Sequence, residues 1–243
     1  MLELIFLGLF VGSLSGFFGV GGGTVLIPIL LFLGYETKIA IGISVVQMVF
    51  SSIYGSYLNH KKGTLDIAMV TSIGIGGFIG AQTSGFITAF MSDFVLELVF
   101  LFFAIFALGR LFFSIKEQET KREVSRITLV LIGFFIGAMS MSIGVGGSLL
   151  LVPILVGFLH ISLKNATSAG LFFVVFSSVS GFISHSIYGE IDIYSGVIIG
   201  LASLFGVYIG VHLKEKVNAH NHKRLLMFFY LLIVGYLTQR IFL

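Results

Sequence analysis

Apolar runs, each closed by one or a few charged residues, set the rhythm of this chain. Met1 to Phe18 is apolar except for Glu3, and GVGGG at 19–23 separates it from a shorter apolar piece, Thr24 to Leu33. Lys38 then opens a run to Asn59 that His60, Lys61 and Lys62 close. Asp66 opens the next, to Met91, and a third extends from Phe94 to Ile115, with Glu97 and Arg110 near its ends. The long polar stretch KEQETKREVSR (116–126) lies at the middle, and after it the pattern restarts. Ile127 to Ile143 is followed by GVGGS at 144–148 and a short piece, Leu149 to Leu159; Lys164 to His185, Asp192 to Leu213 and Leu225 to Leu243 complete it. Runs of about 20 apolar residues, at about 1.5 Å per helical residue, span a hydrocarbon core of roughly 30 Å. In that core every backbone N–H and C=O must be paired within the segment, which selects helices. The pattern predicts an all-α, polytopic transmembrane bundle. Its first run has no Lys or Arg ahead of the apolar stretch, so it reads as mature structure rather than a cleavable leader.

The restart is an internal repeat. GVGGGTVLIPIL (19–30) aligns with GVGGSLLLVPIL (144–155), and the two prolines of the chain, Pro28 and Pro153, fall at the same place in the two copies. With one added residue, KIAIGISVVQMVFSS (38–52) matches KNATSAGLFFVVFSS (164–178). Gly55 then pairs with Gly181, Gly63 with Gly189, Asp66 with Asp192, Gly74 with Gly200 and Gly80 with Gly206. A colinear series of this kind marks duplicated units, here 1–115 and 127–243, joined by the charged linker 116–126 into one membrane domain.

Charge sets the orientation. Lys and Arg in short loops favour the cytoplasmic side. Lys61 and Lys62, the 116–126 linker, and Lys214, Lys216, Lys223 and Arg224 all carry that signal. The loops near Asp93 and at 186–192 lack positive charge. The positive loop at 60–66 corresponds to the acidic one at 186–192, so equivalent loops are expected on opposite faces and the repeats are expected to be inverted. Inversion requires an odd number of crossings per half. Three long helices plus a broken hairpin that enters and leaves on one side satisfy it; a helix merely kinked at GVGGG gives the wrong parity.

Composition agrees. Apolar residues make up 57% of the chain, charged residues 10%, and mean hydropathy is +1.10, against a usual charged share of about 25%. Cysteine is absent, which removes disulfides, thiolate metal sites and thiol catalysis. The formal charge of +3 is accounted for by topology and calls for no nucleic acid. No GxSxG or HExxH motif is present, and no carboxylate lies deep within a run, so neither an intramembrane enzyme nor a carboxylate proton relay is supported. No cofactor is implied.

The paired glycine runs carry the candidate chemistry. Interrupted helices at matching positions of two repeats point to a transporter's binding site. N–H groups released at the bends, with the N-termini of the limbs at Thr24 and Ser148, form a positive nest suited to an anion. Thr24 and Ser148 add hydroxyl donors or cap the limbs. The residues singled out for substrate are Gly19, Gly21, Gly22, Gly23, Thr24, Gly144, Gly146, Gly147 and Ser148, with Pro28 and Pro153 as helix breaks. Gln47 and Asn165 join them because a buried amide is costly unless it faces a cavity. Packing is the competing account of any single glycine, and small-xxx-small runs stand at Gly8, Gly12 and Gly16, at Gly133 and Gly137, at Gly76 and Gly80, and at Gly206 and Gly210. Lys38 and Lys164 read equally as interfacial anchors or as residues drawing anions to a vestibule. Arg110 reads as a positive-inside anchor; His60, His185, His220 and His222 read as surface residues.

Two GxGGG-like motifs each followed by a proline, then a K-x-A stretch, in about 250 apolar residues with a charged centre, resemble the sulfite exporter TauE/SafE family. The resemblance covers nearly the whole chain. It implies a plasma-membrane exporter of sulfite or a small organosulfur anion such as sulfoacetate, and it carries Gly19, Gly21, Gly22, Gly23 and Pro28, and Gly144, Gly146, Gly147 and Pro153. Ser148 departs from the family triplet. The alternative reading is a passive anion channel of hourglass half-helices. A homo-oligomer is compatible with either.

Overall fold

The computed structural model describes residues 1–64, 67–112, 124–189 and 191–242; Asp66, Glu190 and residues 116–123 of the charged linker lie outside the described residues. Every regular element there is a helix: α1 Leu2–Phe18, α2 Gly23–Phe32, α3 Thr37–Lys61, α4 Ile67–Ala81, α5 Ser84–Phe90, α6 Asp93–Phe112, α7 Arg126–Ser142, α8 Ser148–Gly157, α9 Leu163–Tyr188, α10 Ile193–Lys216 and α11 Ala219–Phe242. Six helical segments are long and apolar enough to cross a membrane: α3, Val70–Phe90 (α4 with α5), α6, α9, α10 and α11. These are the six long runs of the sequence. The glycine breaks likewise fall between α1 and α2 and between α7 and α8. At ten residues each, α2 and α8 reach about 15 Å, half the hydrocarbon core.

The two halves interlock. Helix α1 packs along α10, and its counterpart α7 along α4, while α3 pairs with α9 and α6 with α11. Helices α3 and α9 run antiparallel, since Thr64 meets Ser168 at one end and Ser52 lies 3.5 Å from Ser178 (Oγ to Oγ) further in. The outer faces carry Phe6, Phe102, Phe135, Phe205 and Phe228, all more than half exposed, as lipid-facing surface requires. The α3–α9 interior instead holds Ser44, Gln47, Ser51, Ser52, Ser177 and Ser178, each fully buried.

Lipid tails are as apolar as leucine, so close backbone approach rather than hydrophobic burial has to join these helices. The small-residue runs supply it. A Cβ at Gly12 would overlap the backbone of Ser203 on α10, and one at Gly137 would overlap that of Gly77 on α4. At Gly109 and Gly235 the space is open. Replacing Gly12 by leucine is therefore expected to cost more than about 1–3 kcal/mol, the usual range for overpacking. Thermal unfolding in detergent should show it as lost folded protein, whereas Gly235→Leu should unfold like the parent.

One break had no sequence signal. The second long helix of the first half bends at Gln82 and Thr83, between α4 and α5. Two serines of α9 open it: Ser180 Oγ donates to Phe78 O at 2.6 Å, and Ser184 Oγ donates to Gln82 O at 2.6 Å while accepting from Gly85 N at 3.0 Å. The matching α3 positions are Tyr54 and Leu58, which lack a short hydroxyl, and α10 runs unbroken.

Candidate functional site

The broken ends meet inside the bundle. After α1, Gly19 and Gly21 take φ of +68° and +67°; after α7, Gly144 and Gly146 take +69° and +75°, and Gly147 takes +90°. Side chains rarely adopt that region, so glycine is required for the chain to turn back. All ten residues of the two motifs, 19–23 and 144–148, are buried. A Cβ at Gly23 would overlap the Gly144 carbonyl, so the first turn of α2 lies against the opposite break. Gly21 and Gly146 both lie against Met48 of α3 and Val174 of α9. Two hydroxyls fix the second bend: Ser44 Oγ donates to Gly144 O at 2.8 Å, and Ser177 Oγ donates to Gly146 O at 2.8 Å. Each serine lies on a long central helix, so α3 and α9 hold the break in register.

The helix N-termini are at Gly23 and Ser148, with Gly22 and Gly147 as caps. Val25 N and Leu26 N bond to Gly22 O, and Leu150 N and Leu151 N to Gly147 O. Among the described residues the N–H groups of Gly23, Thr24, Ser148 and Leu149 find no acceptor. Thr24 does not add its hydroxyl to them, because Oγ1 donates back to Val20 O at 3.1 Å. Gln47, fully buried, rests its carboxamide on the Cα of Gly22, and neither Nε2 nor Oε1 has a hydrogen-bond partner; Ser148 Oγ is likewise unpartnered. Buried polar groups are normally paired, and an unpaired one costs about 1–3 kcal/mol. Two of them beside two helix N-termini form a donor-rich, desolvated cradle whose polarity suits negative charge.

Ser148 fits for a specific reason. In the first half Gly23 faces Ser44; in the second, Ser148 faces Gly170, the residue aligned with Ser44. The hydroxyl has changed sides, and each half keeps one serine and one glycine in the same space.

The prolines need correction. Pro28 and Pro153 do not break their helices; α2 continues to Phe32 and α8 to Gly157, with the proline sixth of ten residues in each. The glycines make the break, and each proline removes the N–H that would pair with the carbonyl four residues back, at Thr24 and Leu149. The far ends of α2 and α8 are met by cations, as their dipoles favour. Arg240 Nη1 donates to Leu31 O at 3.1 Å while its Nε donates to both Glu97 oxygens at 3.1 Å; Thr37 Oγ1 donates to Glu97 Oε1 at 2.6 Å. Arg110, on the last turn of α6, stacks on Phe158 at 4.0 Å and lies against Gly157, so it seats the end of α8.

Asn165 stands outside the cluster, exposed on the first turn of α9, where its N–H bonds to Ser162 Oγ. The histidine expectation holds for His60 and His220, which are exposed, and fails for His185 and His222. His185 is 1% exposed, its Nε2 3.3 Å from Met141 O, and His222 is 2% exposed, wedged against Phe17 and Phe18. Both lie near helix ends that neighbouring helices overhang, which a linear hydropathy reading does not register. Lys214 is also not a loop residue. It lies within α10, is 3% exposed, and donates to Asn59 Oδ1 at 3.0 Å and Ser168 Oγ at 3.1 Å.

Comparison with known proteins agrees with this architecture. Residues 4–237 match the family described as Sulfite exporter TauE/SafE. The probable membrane transporter protein YdhB of Bacillus subtilis is 27% identical over 82% of this chain and 84% of its own length. A probable membrane transporter protein of Methanocaldococcus jannaschii is 26% identical over 96% of this chain and 92% of its own. No solved structure matches the chain. With a family match across nearly the whole sequence and six helices fit to span a bilayer, the chain belongs to the TauE/SafE family of membrane transporters and is a multi-pass membrane protein.

Proposed function

We propose that the chain exports a small sulfur oxyanion, sulfite or an organosulfonate such as sulfoacetate, across the plasma membrane, binding it where the two glycine breaks meet. The observation that carries this reading is the buried juxtaposition of the α2 and α8 N-termini beside the unpartnered Gln47 carboxamide and Ser148 hydroxyl. A dehydrated oxyanion needs several donors, and an anion held by N–H and O–H groups alone leaves no fixed cation behind when it departs. The family description names sulfite, which supports the sulfur class.

The repeats are inverted in this reading. The antiparallel α3 and α9, which are repeat counterparts, support inversion, as does the contrast between the Lys61–Lys62 loop and the acidic 186–192 loop. Helices α2 and α8 are then re-entrant limbs meeting near mid-membrane, and alternating access rocks one pair of counterparts against the other. Closed packing around the cradle favours a carrier over an open pore.

Reconstituted liposomes offered sulfite, sulfoacetate, thiosulfate and sulfate separately test the reading. Saturable flux of sulfite or sulfoacetate, with sulfate much slower, is expected. Flux that rises linearly with concentration for every anion would replace the carrier with a channel, and no flux of any would remove the anion class.

A further inference from the structure

The end of the bundle where α3, α9 and α10 converge holds charge that the central cradle does not use. Lys214 is buried, and among the described residues no carboxylate oxygen lies within 4.0 Å of its Nζ. Its two partners are neutral, Asn59 Oδ1 and Ser168 Oγ, and Thr64 Oγ1 adds a hydroxyl 2.9 Å from Ser168 Oγ. Asn59 Nδ2 is buried without a partner. A more exposed layer adjoins them: Glu215 bonds Lys62 at 2.9 Å and lies 3.9 Å from Lys164. Among the described residues three lysines thus face a single glutamate. In the other half Lys38 matches Lys164, but His185 is aligned to Asn59 and Thr88 to Lys214. Thr88 donates to Ser142 O at 2.7 Å, so at that end a backbone carbonyl takes the place of charge chemistry.

We propose that Lys214, Asn59 and Ser168 form a second, peripheral anion-binding site at this end of the α3–α9 pair, with the Glu215 carboxylate as its displaceable latch. The proposal rests on the reading of the chain as an anion carrier and adds a site, and an asymmetry, to it. An oxyanion arriving from this side competes with Glu215 for Lys62 and Lys164 and then takes a charge-assisted bond from Lys214 and the free N–H of Asn59. At the opposite end Lys38, which matches Lys164, donates to Ala89 O at 3.0 Å, but no lysine stands at the position matching buried Lys214, so the anion is held more tightly on the Lys214 side. Lys164 then belongs to the vestibule rather than to a lone interfacial anchor.

Lys214→Gln is expected to raise the half-saturating sulfite concentration roughly ten- to hundredfold, the worth of a hydrogen bond to a charged group, when sulfite is offered from the Lys214 side of oriented liposomes. Sulfite offered from the other side should saturate as before, Lys214→Arg should stay near the parent, and Glu215→Gln should lower the half-saturating concentration. A readout without transport is the thermal stabilisation of purified protein by sulfite at constant ionic strength, of which Lys214→Gln should remove the share owed to the peripheral site and leave that of the central one. Should that variant not fold, Asn59→Leu removes the free N–H, together with one acceptor of Lys214, leaves the lysine in place and is expected to weaken binding in the same direction. Equal weakening from both sides would assign Lys214 to the central site, and unchanged half-saturation and stabilisation would remove the peripheral site; either result overturns the proposal. The central reading fails separately, through intact flux in both Gly22→Ala and Gln47→Leu.

Discussion

Gly22→Ala is expected to cut anion flux by roughly 10- to 150-fold while leaving yield and thermal stability close to the parent. That range is the rate equivalent of losing one hydrogen bond to a charged group, about 1.5–3 kcal/mol. Gly22 has φ −60° and ψ −28°, a helical conformation that alanine adopts without strain. Its new Cβ would overlap Gln47, and what it meets is the carboxamide end of a flexible side chain rather than backbone. Gln47 therefore swings aside and the cradle loses its amide. Gln47→Leu isolates the same group. Removing an unpaired buried amide should stabilise the fold, up to the roughly 1–3 kcal/mol such a group costs, while flux falls. A variant more stable and less active than the parent is the signature of a residue retained for ligand rather than for packing. Gly147 makes the contrast, because φ +90° and the Phe173 ring against its Cα mean that alanine there strains the backbone and the core together. Its flux and its folded yield should fall together. Flux measured per folded molecule separates the cases, and undiminished flux in both Gly22→Ala and Gln47→Leu would end the central-site reading.

Much of this was legible in the linear pattern because the bilayer imposes so few solutions. A run of about 20 apolar residues bounded by charge has one outcome in hydrocarbon, and all six such runs became candidate spans. The glycine runs were legible as breaks for the same reason: no other residue turns a buried backbone through positive φ so readily. What stayed hidden depends on three-dimensional neighbours. Pro28 and Pro153 mark the broken region in sequence, yet the helix passes through both, because a proline removes one hydrogen bond while a glycine frees the whole backbone. Gln47 and Asn165 looked alike as amides in apolar runs; register on the helix buried one and exposed the other. Lys214 looked like a loop cation because it follows an apolar run, and only the approach of α3 and α9 encloses it. The bend at Gln82 was invisible, since its cause lies about a hundred residues away at Ser180 and Ser184.

The limbs also share one electrostatic direction. Arg240 and Glu97 seat the far end of α2, and Arg110 with Phe158 that of α8, so each short helix has a cation at its C-terminus and its free N–H groups at the centre. Both dipoles then add at the break, and the cradle gains polarity without a buried charge of its own. The design asks that the two breaks match in volume, which makes the exchange of serine and glycine between the halves a direct test.

Gly170→Ser alone is expected to destabilise the protein by about 1–3 kcal/mol, because the added atoms overpack a closed site. A Cβ there would lie 2.9 Å from Val152 Cγ2, 3.2 Å from Ser148 Cβ and 3.2 Å from Gly19 O. Adding Ser148→Gly removes one neighbour and recreates the first-half pairing, in which the serine of α3 bonds the opposite carbonyl at 2.8 Å. The new hydroxyl then has Gly19 O as its acceptor, and Val152 has room to turn. The double variant should recover most of the lost stability, giving a coupling energy above about 0.5 kcal/mol, the threshold for residues in contact. Its flux should fall short of the parent's, since Ser148 no longer offers a free hydroxyl to the cradle. Strict additivity of the two changes would show that Gly170 and Ser148 do not share one space, and that the matched volumes of the two breaks have no part in holding them together.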